Sequence, residues 1–211
     1  VSFTRRVAQL GRTVAGALRR LTSLRTILVG IGAAAVGGFG FSSLTTLASD
    51  VQDAETAFAN LISSIGGRAP EALEKFRAAT RGTVSDLEIM RQANAGIQLG
   101  GVESVDGFAR LAEGARRLGR ATGRDATAAL GDLVTGIGRQ SALILDNLGL
   151  TVKVTQANEN YAKSLGVLVR DLTPAQKSQA FFTETLRAVD EALVRLGPDI
   201  LSLSDVVAQA L

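Results

Sequence analysis

The chain has 211 residues, 46% of them hydrophobic and only 4% aromatic, so Ala and Leu must supply most of the packing, which favours helix on helix. It contains no Cys and no His, which excludes disulfides, thiolate nucleophiles, imidazole general bases and the usual zinc ligands. The net charge of +3 is unevenly spread: residues 1–49 hold Arg5, Arg6, Arg12, Arg19, Arg20 and Arg25 and no acid, while the rest is close to balance.

Residues 1–25 open a strict four-three spacing of apolar positions: Phe3, Val7, Leu10, Val14, Ala17, Leu21, Leu24, Leu28 and Ile31. This is a heptad seam, and its narrowness suits self-association in a coiled coil. An amphipathic helix packed on its own domain has the same spacing. All six arginines fall off the seam, so neighbouring copies repel unless an acidic partner, nucleic acid or lipid headgroups lie alongside. An opening Val1 reads as a chain lacking an upstream segment.

Residues 26–49 carry no charge. The run includes Ile27, Leu28, Val29, Ile31, Val36, Phe39, Phe41 and Leu44, and its length matches the ~20 residues that cross a bilayer. Gly30, Gly32, Gly37, Gly38 and Gly40 weaken helix propensity but permit close helix approach. Three readings fit: a membrane-entering helix with its arginines on one side, a helix buried inside an assembly, or a signal peptide with an overlong basic region.

Residues 50–211 repeat helical signals. Val51, Ala54, Phe58, Leu61, Ile62 and Ile65 share a face that stops at Gly66 and Gly67. Pro70 marks a second helix with Leu73, Phe76 and Ala79 inward. Ser85 and Glu88 form a capping-box pattern for a third, ending near Gly100. Residues 105–118 and 126–137 show apolar spacings of three and four. Thr173 and Gln176, with Pro174 between them, mark a last helix through Phe181, Phe182, Leu186, Val189 and Leu193 that halts at Gly197. The alternation over residues 150–154 is the one strand pattern, and it is short. The expectation is an all-α chain: a basic heptad helix (1–25), an apolar helix (26–49) and a helical bundle (50–211).

Several patterns imitate chemistry. Gly30 and Gly32 followed by Ala35 mimic a dinucleotide turn, but no βαβ alternation follows. Gly114 and Gly119 have the outer spacing of a phosphate-binding loop without its Lys and Ser/Thr, and sit inside a helical pattern. Arg116, Arg117, Arg120 and Arg124 form a basic cluster without neighbouring aromatics, which reads as a solvated helix face. Glu71 with Glu74, and Asp190 with Glu191, read as surface charge rather than acid–base pairs. No catalytic, metal or cofactor site is expected.

Residues 138–149 read Gly-Arg-Gln-Ser-Ala-Leu-Ile-Leu-Asp-Asn-Leu-Gly. They are followed by Ala-Asn-Glu-Asn-Tyr-Ala at 157–162, Leu165-Gly166, Leu-Thr-Pro-Ala-Gln-Lys at 172–177, and Ala180-Phe181. This order and spacing resembles the tape measure proteins of long-tailed phages and related prophages, best over about residues 125–195. Its motif positions here are Ser141, Leu143, Leu145, Asp146, Asn147, Leu148, Gly149 and Tyr161. The resemblance implies a helical, non-enzymatic virion component in the tail tube lumen or tail tip. Such a component sets tail length and takes part in genome ejection. It implies as partners other copies of the chain, commonly three; the tail tube protein; distal tail and hub proteins; and tail assembly chaperones. The host membrane and nonspecific DNA contact are further expectations. At about 1.5 Å per residue, 211 helical residues span roughly 300 Å, so the chain reads as one segment of a longer ruler, as the ruler of a very short tail, or as a copy that is not a ruler. Two competing readings are a bacterial membrane-anchored helical adaptor and a secreted helical pore-forming or effector protein.

Overall fold

A computed structural model of the protein describes residues 41–199, with side chains from residue 50 onward. The seam positions Phe3 to Ile31, and Ile27, Leu28, Val29, Val36 and Phe39 of the apolar segment, lie outside the described residues. Phe41 and Leu44 fall in the first turns of the first described helix. The chain divides into two units, Val1–Gln52 and Asp53–Leu211, and the second holds the buried core.

Every regular element among the described residues is helical. In chain order these are α1 (Phe41–Ser64), α2 (Ala69–Thr80), α3 (Asp86–Gln98), α4 (Val105–Thr122), α5 (Ala126–Gly138), α6 (Ala142–Asp146), α7 (Val154–Leu165), a 3-10 turn (Val169–Asp171) and α8 (Pro174–Leu196). Among the described residues, no helix is long and apolar enough to cross a membrane.

The boundaries follow local chemistry. α1 stops where Gly66 takes φ +76° and the Gly67 N–H turns back to the Ile62 carbonyl. Pro70 sits in the first turn of α2, where its missing N–H costs nothing. Ser104 and Asp125 cap α4 and α5 by accepting from the N–H groups of Gly107 and Ala128. At α8 the full capping box forms: Thr173 Oγ1 accepts from Gln176 N, and Gln176 Oε1 accepts from Thr173 N. The expected box at α3 forms by half only. Ser85 Oγ accepts from Glu88 N at 3.4 Å, but the Glu88 carboxylate accepts from Gln92 instead. Two options one turn apart compete for that side chain, and the forward one lies along the helix face.

The strand expectation is corrected. Residues 150–153 are an extended connector, and Val154 already begins α7. The alternation itself is present: Leu150 and Val152 are buried while Thr151 and Lys153 face water. A period of two reports which side chains enter the core; a strand also needs a ladder partner, and no strand exists among the described residues.

α4 is the hub, packing on α2, α5 and α8; α3 and α6 lie against α5, and α7 against α8. Phe58, Phe76 and Phe108 join α1, α2 and α4. The Phe76 ring centroid is 6.2 Å from Phe58, edge-on, and 4.6 Å from Phe108. α4 and α8 run parallel and close. A Cβ on Gly107 would lie 2.5 Å from Phe182 Cζ, and a Cβ on Gly114 2.6 Å from Val189 Cγ1. The glycines thus receive knobs from α8, seven residues apart on both helices.

This contact sets a sign that propensity alone would reverse. Gly→Ala inside a helix ordinarily stabilises by about 1 kcal/mol. At Gly114 the methyl meets Val189, whose β-branched side chain has one good rotamer in a helix and cannot turn away. Gly114→Ala is expected to destabilise by about 1–2 kcal/mol through overpacking. In a Val189→Ala background the same change should stabilise, with about 1 kcal/mol of propensity left unopposed. A double-mutant cycle by urea denaturation measures the coupling, and additive effects would contradict the contact.

Candidate functional site

Of the motif residues, Leu145, Leu148 and Gly149 act as structure, and the others lie wholly or partly at the surface. Leu145 and Leu148 are fully buried, with Leu145 seated so close to Gly136 of α5 that a Cβ there would lie 2.6 Å from Leu145 Cδ2. Gly149 takes φ +70°, a conformation that costs a side chain, and lets Leu150 N–H reach the Leu145 carbonyl at 3.2 Å. Ser141 begins α6 without a side-chain capping bond. Leu143 is 79% exposed, and Asp146 and Asn147 also face water. Tyr161 is half-buried on α7. The downstream positions Ala157, Ala162, Leu172, Ala180 and Phe181 are buried. Gln140 Nε2 donates to Ser178 Oγ at 3.1 Å, tying the start of the motif to α8.

The basic cluster departs from its expected role. Arg116 is not on a solvated face: its side chain is 2% exposed. Its guanidinium grips the Asp199 carboxylate through both Nη atoms and donates from Nε to the Ala79 carbonyl at 3.2 Å. Arg81 reaches the same carboxylate at 2.7 Å from a left-handed position (φ +51°) at the end of α2. Arg117 donates to the carbonyls of Leu193 and Gly197, which the end of α8 leaves without helical partners. Arg124 pairs with Asp132 of α5 at 2.7 Å. Arg116 and Arg117 thus tie α4 to the end of α8 and the residues just after it, Arg124 ties the turn after α4 to α5, and the Arg120 side chain is exposed. The sequence hides this because Asp199 lies far along the chain. A local cue did exist in Arg116, which falls on the apolar side of α4 between Ala112 and Gly119.

Several charged groups are held away from their ordinary ionisation by their surroundings. Hydrogen bonding from Arg116, with Arg81 and Arg117 nearby, holds the Asp199 carboxyl below its ordinary range. Glu184 is likewise held low, first by its hydrogen bond from Arg187 and further by Asn160 of α7. Burial pushes Glu103 upward. Lys75 pairs with Asp106 and Arg110 with Asp190, each linking two helices. Among the described residues no group of three or more His, Cys, Asp or Glu is placed to hold a metal ion.

One surface feature escaped the sequence reading. The turn from α7 into the 3-10 helix exposes Leu165, Val167, Leu168 and Val169, each between 40% and 55% accessible. An unbroken aliphatic run around Gly166 was its available signal.

In comparisons with known proteins, no family model matches the chain and no solved structure matches it.

Proposed function

We propose that the chain is a structural, non-enzymatic segment of a phage tail tape measure protein, working in the tail tube lumen or at the tail tip. The observation that carries this reading is the ordered pattern over residues 138–181, which resembles that family in sequence and spacing. Its apolar members, such as Leu145, Leu148, Ala157, Leu172 and Phe181, are core residues of one helical unit, and its Thr173 and Gln176 form a capping box. A pattern spent on scaffold rather than on a reactive pocket is consistent with a mechanical role. In this reading residues 1–31 bundle copies along the heptad seam, as a trimer. Residues 26–49 stay shielded until ejection brings them to the host membrane. The tail tube, hub and chaperone proteins are the partners, and DNA in the lumen is met only by nonspecific charge.

Two measurements test this. Peptides from residues 41–199 are expected in tails purified from virions of the parent phage, and a tail free of them overturns the reading. The full chain in mild detergent is expected to scatter light as a trimer that Leu21→Asp with Leu24→Asp dissociates. A monomer removes the bundling step.

A further inference from the structure

We propose that the turn joining α7 and α8 is a lipid-contact site that docks shallowly on an anionic membrane surface. The turn places Leu165, Val167, Leu168 and Val169 in water together, on consecutive bends of the chain. Leu143 and Val194 are more exposed but stand singly, whereas these four are contiguous, and a contiguous apolar patch marks a surface that something covers. Two properties select lipid over protein. First, the turn keeps many of its own backbone bonds. The N–H groups of Gly166, Val167, Asp171 and Leu172 donate to the carbonyls of Lys163, Ala162, Leu168 and Val169. The N–H groups of Leu168, Val169 and Arg170 between them donate to no backbone carbonyl, which suits a shallow seat among hydrated headgroups rather than entry into the hydrocarbon. Second, the charges flanking the aliphatic tip match a headgroup layer. Lys163 stands one turn before it and Arg170 directly after, both exposed, with Asp171 3.8 Å from Arg170 in an open, water-facing pair. Short aliphatic side chains reaching past the headgroups, with cations at their level, is the arrangement of interfacial membrane contacts. A stable protein interface instead needs about 800 Å² on each side and gains most from buried aromatic anchors. Four half-exposed aliphatic side chains fall short of the first, and this tip has no aromatic residue.

Lipid contact by this turn is independent of a place in tails, and emission from the turn alone tests it. The chain has no Trp, so Leu168→Trp gives an emission signal from this position only. Leu165→Trp serves as a second reporter should the first fail to fold. With vesicles of phosphatidylglycerol in phosphatidylcholine, the emission is expected to shift to the blue and to be quenched by brominated lipid. Val194→Trp, at an exposed site near the end of α8, should stay at its water value. Adding Lys163→Gln or Arg170→Gln to the reporter should lower partitioning about fivefold each, the contribution of one interfacial cation. Val167→Asp with Val169→Asp should abolish the shift. Emission that stays at the water value while the protein sediments with vesicles overturns the proposal, because other residues then carry the binding. An equal shift on pure phosphatidylcholine overturns the anionic specificity. A shift that needs no lipid and grows with protein concentration assigns the turn to a protein contact and overturns the proposal as well. None of these results bears on whether the chain resides in tails.

Discussion

Truncating Phe76 to alanine is expected to lower the stability of the bundle by about 3–5 kcal/mol, the range for deleting a fully buried aromatic side chain. Phe76 is fully buried on α2, edge-on to Phe58 of α1 and in tilted contact with Phe108 of α4. Its loss therefore opens a cavity where three helices meet, and removes two ring–ring contacts worth about 0.5–1.5 kcal/mol each beyond their buried area. The surroundings cannot collapse readily, because α2 and α4 are also fixed by Lys75 with Asp106 and by Arg116 on the Ala79 carbonyl. Phe76→Leu keeps most of the volume and should cost about 1–1.5 kcal/mol. Urea denaturation followed by circular dichroism gives both values. If Phe76→Ala moved the midpoint no further than Phe76→Leu, the three-ring junction would not be a point on which the helices depend.

How far the sequence revealed the fold depended on the range of the interaction. The helix start at Thr173 and the stops at Gly66 and Gly197 are readable because their signals lie within a few residues of the helix end. The inward faces carrying Phe58, Phe76, Phe181 and Val189 are readable because periodicity is local. The errors share a cause. Residues 150–154 show alternation, which a buried connector and a strand produce alike, and only a partner distinguishes them. Arg116, Arg117 and Arg124 form a basic stripe when counted along one helix, yet their roles are set by Asp199, the end of α8 and Asp132, respectively. Gly114 falls in a helical pattern, as the structure bears out, but the reason it is glycine, the Val189 knob, lies on another helix. The motif positions were legible as a pattern, but their division was not: Leu145 turns into the core and Leu143 into water two residues away. Function was least legible, since the buried motif positions are core residues of a kind that any well-packed bundle needs.

The second large effect lies at the end of α8. Asp199→Asn is expected to destabilise the protein by about 3 kcal/mol at neutral pH, the scale for removing one partner of a buried ion pair. The change keeps the shape and takes away the charge opposite the Arg116 guanidinium, which is shut off from water, while Arg81 and Arg117 stand close by. Three cations around a neutral amide repel one another in a medium that screens them poorly. The pH dependence gives the sharper test. Arg116 holds the folded-state pKa of Asp199 below its unfolded value of about 3.9. The unfolded chain then binds the proton first as pH falls, so the stabilisation is complete above that value and is lost as pH drops through the lower, folded-state pKa. Glu184, also held low, adds a slope of the same sign, and Glu103, raised by burial, one of the opposite sign. Both act equally in the two proteins and cancel in their difference. The gap between wild type and Asp199→Asn should therefore be constant from neutral pH down to about pH 5 and close in stronger acid. A gap that persists unchanged at the lowest pH would mean that the Asn substitution acts through packing, and that the arginines hold α8 by its carbonyls alone.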